Sequence, residues 1–96
     1  MLILVTYDVS TANAEGRRRL RQVARACIAH GVRVQNSVFE CLLDAAQFKL
    51  LQAQIREIID QSEDSVRFYE LGNQFRNKVI QIGRKRPLEH EEVLMI

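Results

Sequence analysis

The sequence predicts an α+β domain of ferredoxin-like βαββαβ order, with an antiparallel sheet, two helices on one face and an additional C-terminal strand. Three observations carry this prediction. Apolar runs of strand length fall at residues 2–8, 32–43, 65–71 and 78–82. Stretches of helical period over 14–30 and from Asp44 to Ile59 separate the first three. The resulting order, with a terminal strand added, is that of a split βαβ unit, whose right-handed crossovers place both helices on the same face.

Each element has its own local reason. Strand one (Leu2 to Asp8) is apolar without alternation through Leu2-Ile3-Leu4-Val5, so both of its faces call for burial. In the first helix Leu20, Val23, Ala24, Cys27 and Ile28 recur at the spacing of one apolar stripe. Asn13 is a candidate N-cap, and Gly31 stands where a left-handed C-terminal residue belongs. Val32 to Leu43 reads as two strands, or one bent strand, breaking near Asn36. Arg33 and Gln35 then share one side of it. Asp44 to Gln47 is a capping-box pattern, and Phe48, Leu51, Ile55, Ile58 and Ile59 form the second helix's buried stripe. Ser65 to Leu71 is a strand, a turn surrounds Gly72-Asn73, and Lys78 to Ile82 is a short fifth strand.

Ninety-six residues form a single domain, here divided into a core of 1–83 and a tail of 84–96. Domains of this size are marginally stable alone. Two helices cannot cover both faces of strand one, so a homodimer packed sheet to sheet is the economical solution. The apolar C-terminus could extend the partner's sheet. Cys27 and Cys41 fall on apolar positions and read as reduced core residues, which suits a cytoplasmic protein. Neither a signal peptide nor a segment of membrane-spanning length is visible, so no membrane partner is expected.

Net charge is only +2, but it is segregated: residues 1–39 carry +4, 40–70 carry −4, 71–87 carry +5 and 88–96 carry −3. Two basic blocks on a near-neutral chain suggest a localised anionic partner; solvated surface is the plainer alternative. Arg17, Arg21 and Arg25 lie four apart on one helix face and repel one another unless something anionic lies across them. Asp8, ending a buried strand beside this surface, is the strongest site candidate. It either holds a hard cation such as magnesium together with water and phosphate oxygens, or caps a turn by accepting backbone N–H groups. One carboxylate makes a poor metal site, whereas two copies meeting near a dimer axis make a good one.

Tyr7 alternates to the other sheet face and reads as packing, as does Phe39 from its strand context. Glu40 stands inside an apolar strand, where an interface salt bridge competes with a ligand role. His30 and His90 have no metal or triad spacing. There is no phosphate-cradling glycine loop, no CxxC pair and no Gly-x-Ser-x-Gly. The aromatic pattern of an RRM-like RNA binder is also missing.

The Tyr7-Asp8-Val9 strand end, Gly16-Arg17-Arg18-Arg19-Leu20-Arg21 and above all Gly31-Val32-Arg33-Val34-Gln35-Asn36-Ser37-Val38-Phe39-Glu40-Cys41 resemble the CRISPR-associated protein two family. Arg67-Phe68-Tyr69, Leu71-Gly72-Asn73 and Ile82-Gly83 match as well, so the similarity spans the chain. The resemblance implies a ferredoxin-like homodimer that serves spacer acquisition, bridging CRISPR-associated integrase dimers and holding duplex DNA. It also implies an endonuclease dependent on Mg2+ or Mn2+, acting on double-stranded DNA or single-stranded RNA. Carried over by motif, Asp8 becomes the catalytic metal ligand, and Arg17, Arg18, Arg19, Arg21, Arg33 and Phe39 become nucleic-acid-binding residues. A non-catalytic adaptor with a vestigial Asp8, and a toxin-type ribonuclease of the virulence-associated protein D kind, are the rival expectations.

Overall fold

The computed structural model describes residues 1–83. The tail expected at 84–96, with the Arg84-Lys85-Arg86 block and its expected pairing to a partner, lies outside the described residues. Within them run β1 (Leu2–Asp8), α1 (Ala14–Ile28), β2 (Gly31–Gln35), β3 (Val38–Leu42), α2 (Ala45–Ile58) and β4 (Ser65–Gly72). The strands form one antiparallel sheet in the order β2-β3-β1-β4. This is the predicted split arrangement, with the two central strands adjacent to each other.

Burial explains why the helices take one face. The odd-numbered side chains Ile3, Val5 and Tyr7 of β1 join Phe39 and Cys41 of β3 in a single core cluster. Val23, Ala24 and Cys27 of α1 and Phe48, Leu51 and Ile55 of α2 close it from above. Phe68 of β4 meets Phe48 edge-on, with ring centroids 5.5 Å apart. Both cysteines are buried and free, and burial is the main force raising their thiols, to about 11 for Cys27 and about 12 for Cys41. Such thiols are poor nucleophiles at neutral pH.

The caps form as the sequence implies. The Asn13 side chain accepts the Gly16 N–H at 2.8 Å, and Asp44 and Gln47 make a reciprocal capping box. The first helix is shorter than its pattern, ending at Ile28 with Ala29 as C-cap. Ile28 is exposed rather than part of the stripe. Gly31 does not adopt a left-handed conformation; it opens β2, where a Cβ would sit 2.1 Å from the Glu40 carbonyl oxygen. Close backbone approach, not a helix C-cap, is what requires glycine there.

Two further expectations are corrected. A bulge in β2 pairs Arg33 with Phe39 but Gln35 with Val38, so Arg33 and Gln35 face opposite sides instead of sharing one. The additional strand over Lys78–Ile82 does not form: these residues carry no strand, and Ile80 and Ile82 are 83% and 88% exposed. An extended segment becomes a strand only when a neighbouring edge takes its backbone groups, and none does so among the described residues. Lys78 instead donates its ammonium to the Leu71 carbonyl at 3.0 Å.

Candidate nucleic-acid and metal site at the end of β1

β1 carries Leu4, Thr6 and Asp8 on the face away from the helices. Register places Tyr69 beside Leu4, Arg67 beside Thr6 and Ser65 beside Asp8. Leu4 and Thr6 are half-buried and Asp8 is exposed. Arg67 shares this face but donates to the Tyr69 hydroxyl at 3.3 Å, so its guanidinium is held along β4 and forms no ion pair with Asp8. Among the described residues the Asp8 carboxylate has neither a hydrogen-bond nor an ion-pair partner. The alternative role, that of a turn-capping acceptor, therefore falls to another residue.

That residue is Asp64, which sequence reasoning missed. Its Oδ1 accepts the Ser10 N–H at 3.0 Å, and its Oδ2 accepts the Asp60 N–H at 2.9 Å and the Arg19 Nε–H at 2.7 Å. The Asp64 side chain is 0% exposed. Burial works to raise its carboxyl, but the Arg19 guanidinium and the Asp60 and Ser10 amides outweigh that and hold it below the ordinary 3.8. A depressed carboxyl contributes stability that is present above 3.8 and is lost as pH falls through the folded-state value. The thermal midpoint should accordingly drop steeply below about pH 4. Asp64→Asn should flatten that drop, and an unchanged acid slope would remove Asp64 as its source.

The arginine surface divides on the same contacts. Arg17, Arg18, Arg21 and Arg25 are exposed on α1. Arg17 reaches back to the Thr11 carbonyl at 3.4 Å, at the loop leaving β1. Arg19, which the resemblance makes a nucleic-acid-binding residue, is instead drawn inward to Asp64. Arg33 lies over the Phe39 ring, 5.1 Å from its centroid, on the helix side of the sheet. Phe39 is 0% exposed and stacks at 6.1 Å on Tyr7, whose hydroxyl donates to the Asn36 carbonyl at 3.2 Å. No base can reach that ring, so the folded chain uses Phe39 as core, as its strand context indicated. Burial raises the Tyr7 phenol, with Arg33 opposing the shift.

A metal would need more ligands than the described residues of one chain bring together. No group of three His, Cys, Asp or Glu converges among the described residues. Glu40 pairs opposite Leu4, four residues along β1 from Asp8 and so about 13 Å away. The free oxygen donor of Asp8 fits a hard cation completed by water, phosphate oxygens and a second carboxylate.

Comparison with known proteins agrees with this arrangement. A family model described as CRISPR associated protein Cas2 matches residues 1–79. The chain belongs to the Cas2 family. It is 47% identical over 95 residues to the CRISPR-associated endonuclease Cas2 of Halalkalibacterium halodurans, covering 99% of each chain. It is 52% identical over 84 residues to a CRISPR-associated endoribonuclease Cas2 of Rhodospirillum rubrum, covering 88% of each. The crystal structure of Streptococcus pyogenes Cas2 superposes with a TM-score of 0.77 at 48% identity, covering 86% of this chain and all of that one. The Cas2 relatives of this chain are thus CRISPR-associated nucleases. No helix among the described residues is long and apolar enough to cross a membrane.

Proposed function

We propose that this Cas2-family chain is a cytoplasmic, homodimeric nucleic-acid-binding protein of CRISPR adaptation. Its proposed activity is a magnesium-dependent endonuclease acting on double-stranded DNA, single-stranded RNA or both. The observation that carries this reading is the exposed Asp8 carboxylate at the end of β1, which has no hydrogen-bond or ion-pair partner among the described residues. A strand-end aspartate needed for the fold would be consumed by it, as Asp64 is.

In this reading the half-buried face around Leu4, Thr6 and Val38 meets its copy and brings two Asp8 side chains together. Two such carboxylates repel until a cation lies between them. Paired Asp8 residues would hold Mg2+ or Mn2+, which supplies Lewis acidity and a more acidic bound water. Arg17, Arg18 and Arg21 hold the phosphodiester backbone without reading its sequence. Arg33 braces the β2–β3 hairpin through Phe39. A CRISPR-associated integrase is the proposed protein partner, on the strength of the family resemblance.

Binding should weaken steeply with salt, and Arg17→Ala with Arg21→Ala should lower affinity equally for unrelated sequences, reducing the salt slope by roughly one per lost phosphate contact. Unchanged affinity and slope would take these arginines out of the interface. Cleavage of duplex DNA and single-stranded RNA with Mg2+ and with EDTA tests the activity itself. Cutting that survives chelation would end the metal reading, and no cutting would leave a nucleic-acid-holding adaptor.

A further inference from the structure

We infer that Asp64 is a positioning residue for Asp8, a role that rests on the nuclease reading above and adds to it. Asp64 grips the chain on both sides of Asp8. Downstream, its Oδ1 accepts the N–H of Ser10, two residues beyond Asp8. Across the sheet, Asp64 immediately precedes Ser65, the residue paired with Asp8 in β4. Its own N–H bonds the Asp60 carbonyl at 2.7 Å while its Oδ2 accepts the Asp60 N–H, so the turn entering β4 is closed on the same carboxylate. Arg19, donating from Nε at 2.7 Å and from Nη2 at 3.4 Å, ties that turn to α1.

The loop after Asp8 is confined from the other side as well. Gly16 is buried, and a Cβ on it would lie 1.9 Å from the Ser10 carbonyl oxygen. The backbone of Ser10 thus rests directly on the start of α1 while its N–H is held by Asp64. The end of β1 is tethered at Ser10 from two sides and paired through Asp8 with Ser65, which restrains the backbone that presents the Asp8 carboxylate. Catalytic geometry rewards such rigidity, since a displacement of about 1 Å at a reacting centre can cost about a hundredfold in rate. With two copies of Asp8 sharing one ion, each tether acts on the same site. Asp64 itself faces Ser10, Asp60 and Arg19, not the sheet face of Asp8, so it acts through the backbone and not as a ligand.

The decisive experiment compares wild type, Asp64→Asn, Arg19→Gln and Asp8→Ala, all shown folded by circular dichroism and assayed well below their thermal midpoints. Amide exchange at Ser10, titration with Mn2+ alone and steady-state cleavage are measured on each. Asp64→Asn should speed Ser10 exchange, weaken Mn2+ binding and lower kcat by about tenfold or more with KM within about twofold, because substrate is held elsewhere. Arg19→Gln should move the same readouts in the same direction by less. Unchanged Ser10 exchange in Asp64→Asn overturns the inference. So does a kcat within about twofold of wild type where Asp8→Ala is inactive. If cleavage is indifferent to Asp8→Ala, the nuclease reading fails and takes the catalytic half of the inference with it; Ser10 exchange still decides whether Asp64 holds the segment.

Discussion

Asp8→Ala should remove magnesium-dependent cleavage, lowering kcat by about two orders of magnitude or more, while the domain stays folded and binds nucleic acid as before. In the proposed reading, the size follows from losing the ligand of the cation that stabilises charge at the reacting phosphate. The specificity of the loss follows from the structure. Asp8 is exposed and makes no hydrogen bond or ion pair with its side chain among the described residues, so its removal should change stability by no more than about 0.5 kcal/mol. Its neighbours on the sheet, Ser65 and Thr6, keep their ladder without it. The arginines of α1 are likewise untouched, so affinity and salt slope should match wild type. Cleavage of unchanged rate in the mutant would assign the activity to other residues or to a contaminant. A fall in binding equal to the fall in rate would make Asp8 part of the binding surface instead.

Phe39→Ala should be the most destabilising single change in the domain. Phe39 is fully buried and lies between Tyr7 and Arg33 at the centre of the sheet's helix side. Truncating a buried phenylalanine costs about 3–5 kcal/mol through lost transfer energy and the cavity left behind. Domains as a rule hold only about 5–15 kcal/mol in total, so the variant should be largely unfolded or melt tens of degrees lower, by about 4–8 °C per kcal/mol at this size. Chemical denaturation of purified protein measures it. Phe39→Leu separates packing from recognition: it keeps an apolar side chain in the site but removes the ring. Near-normal nucleic-acid affinity in Phe39→Leu supports the packing role, whereas a folded Phe39→Leu that no longer binds would restore a direct contact. An effect of Phe39 substitutions on activity is therefore expected to track stability, with the loss of Arg33's platform as its route.

Much of this architecture was legible from local pattern. The stripe through Val23, Ala24 and Cys27 and the boxes at Asn13 and Asp44–Gln47 are short-range features, and each formed where the residues placed it. The same is true of Asp8 at a strand end, since alternation along β1 alone opposes it to Tyr7. What local pattern could not supply was the distribution of partners. Nothing near Arg19 along α1 marks it apart as a charge to be paired, yet it is withdrawn by a carboxylate 45 residues away. Arg33 and Gln35 share a side in an ideal strand, but a bulge set by pairing with β3 separates them. Ile80 and Ile82 have strand composition, but their segment pairs with neither outer strand of the sheet, β2 or β4, among the described residues.

By itself, then, the sequence determined the order of the elements from β1 to β4, the apolar stripes that face the core and the position of Asp8, because periodicity and capping act within a few residues. Only the tertiary structure decided that Asp8 has no partner among the described residues while Asp64 is spent, and that Arg19 is structural. The physical reason is that a buried charge or ring is stable only with partners of the right chemistry around it. Those partners come from segments that sequence distance does not connect.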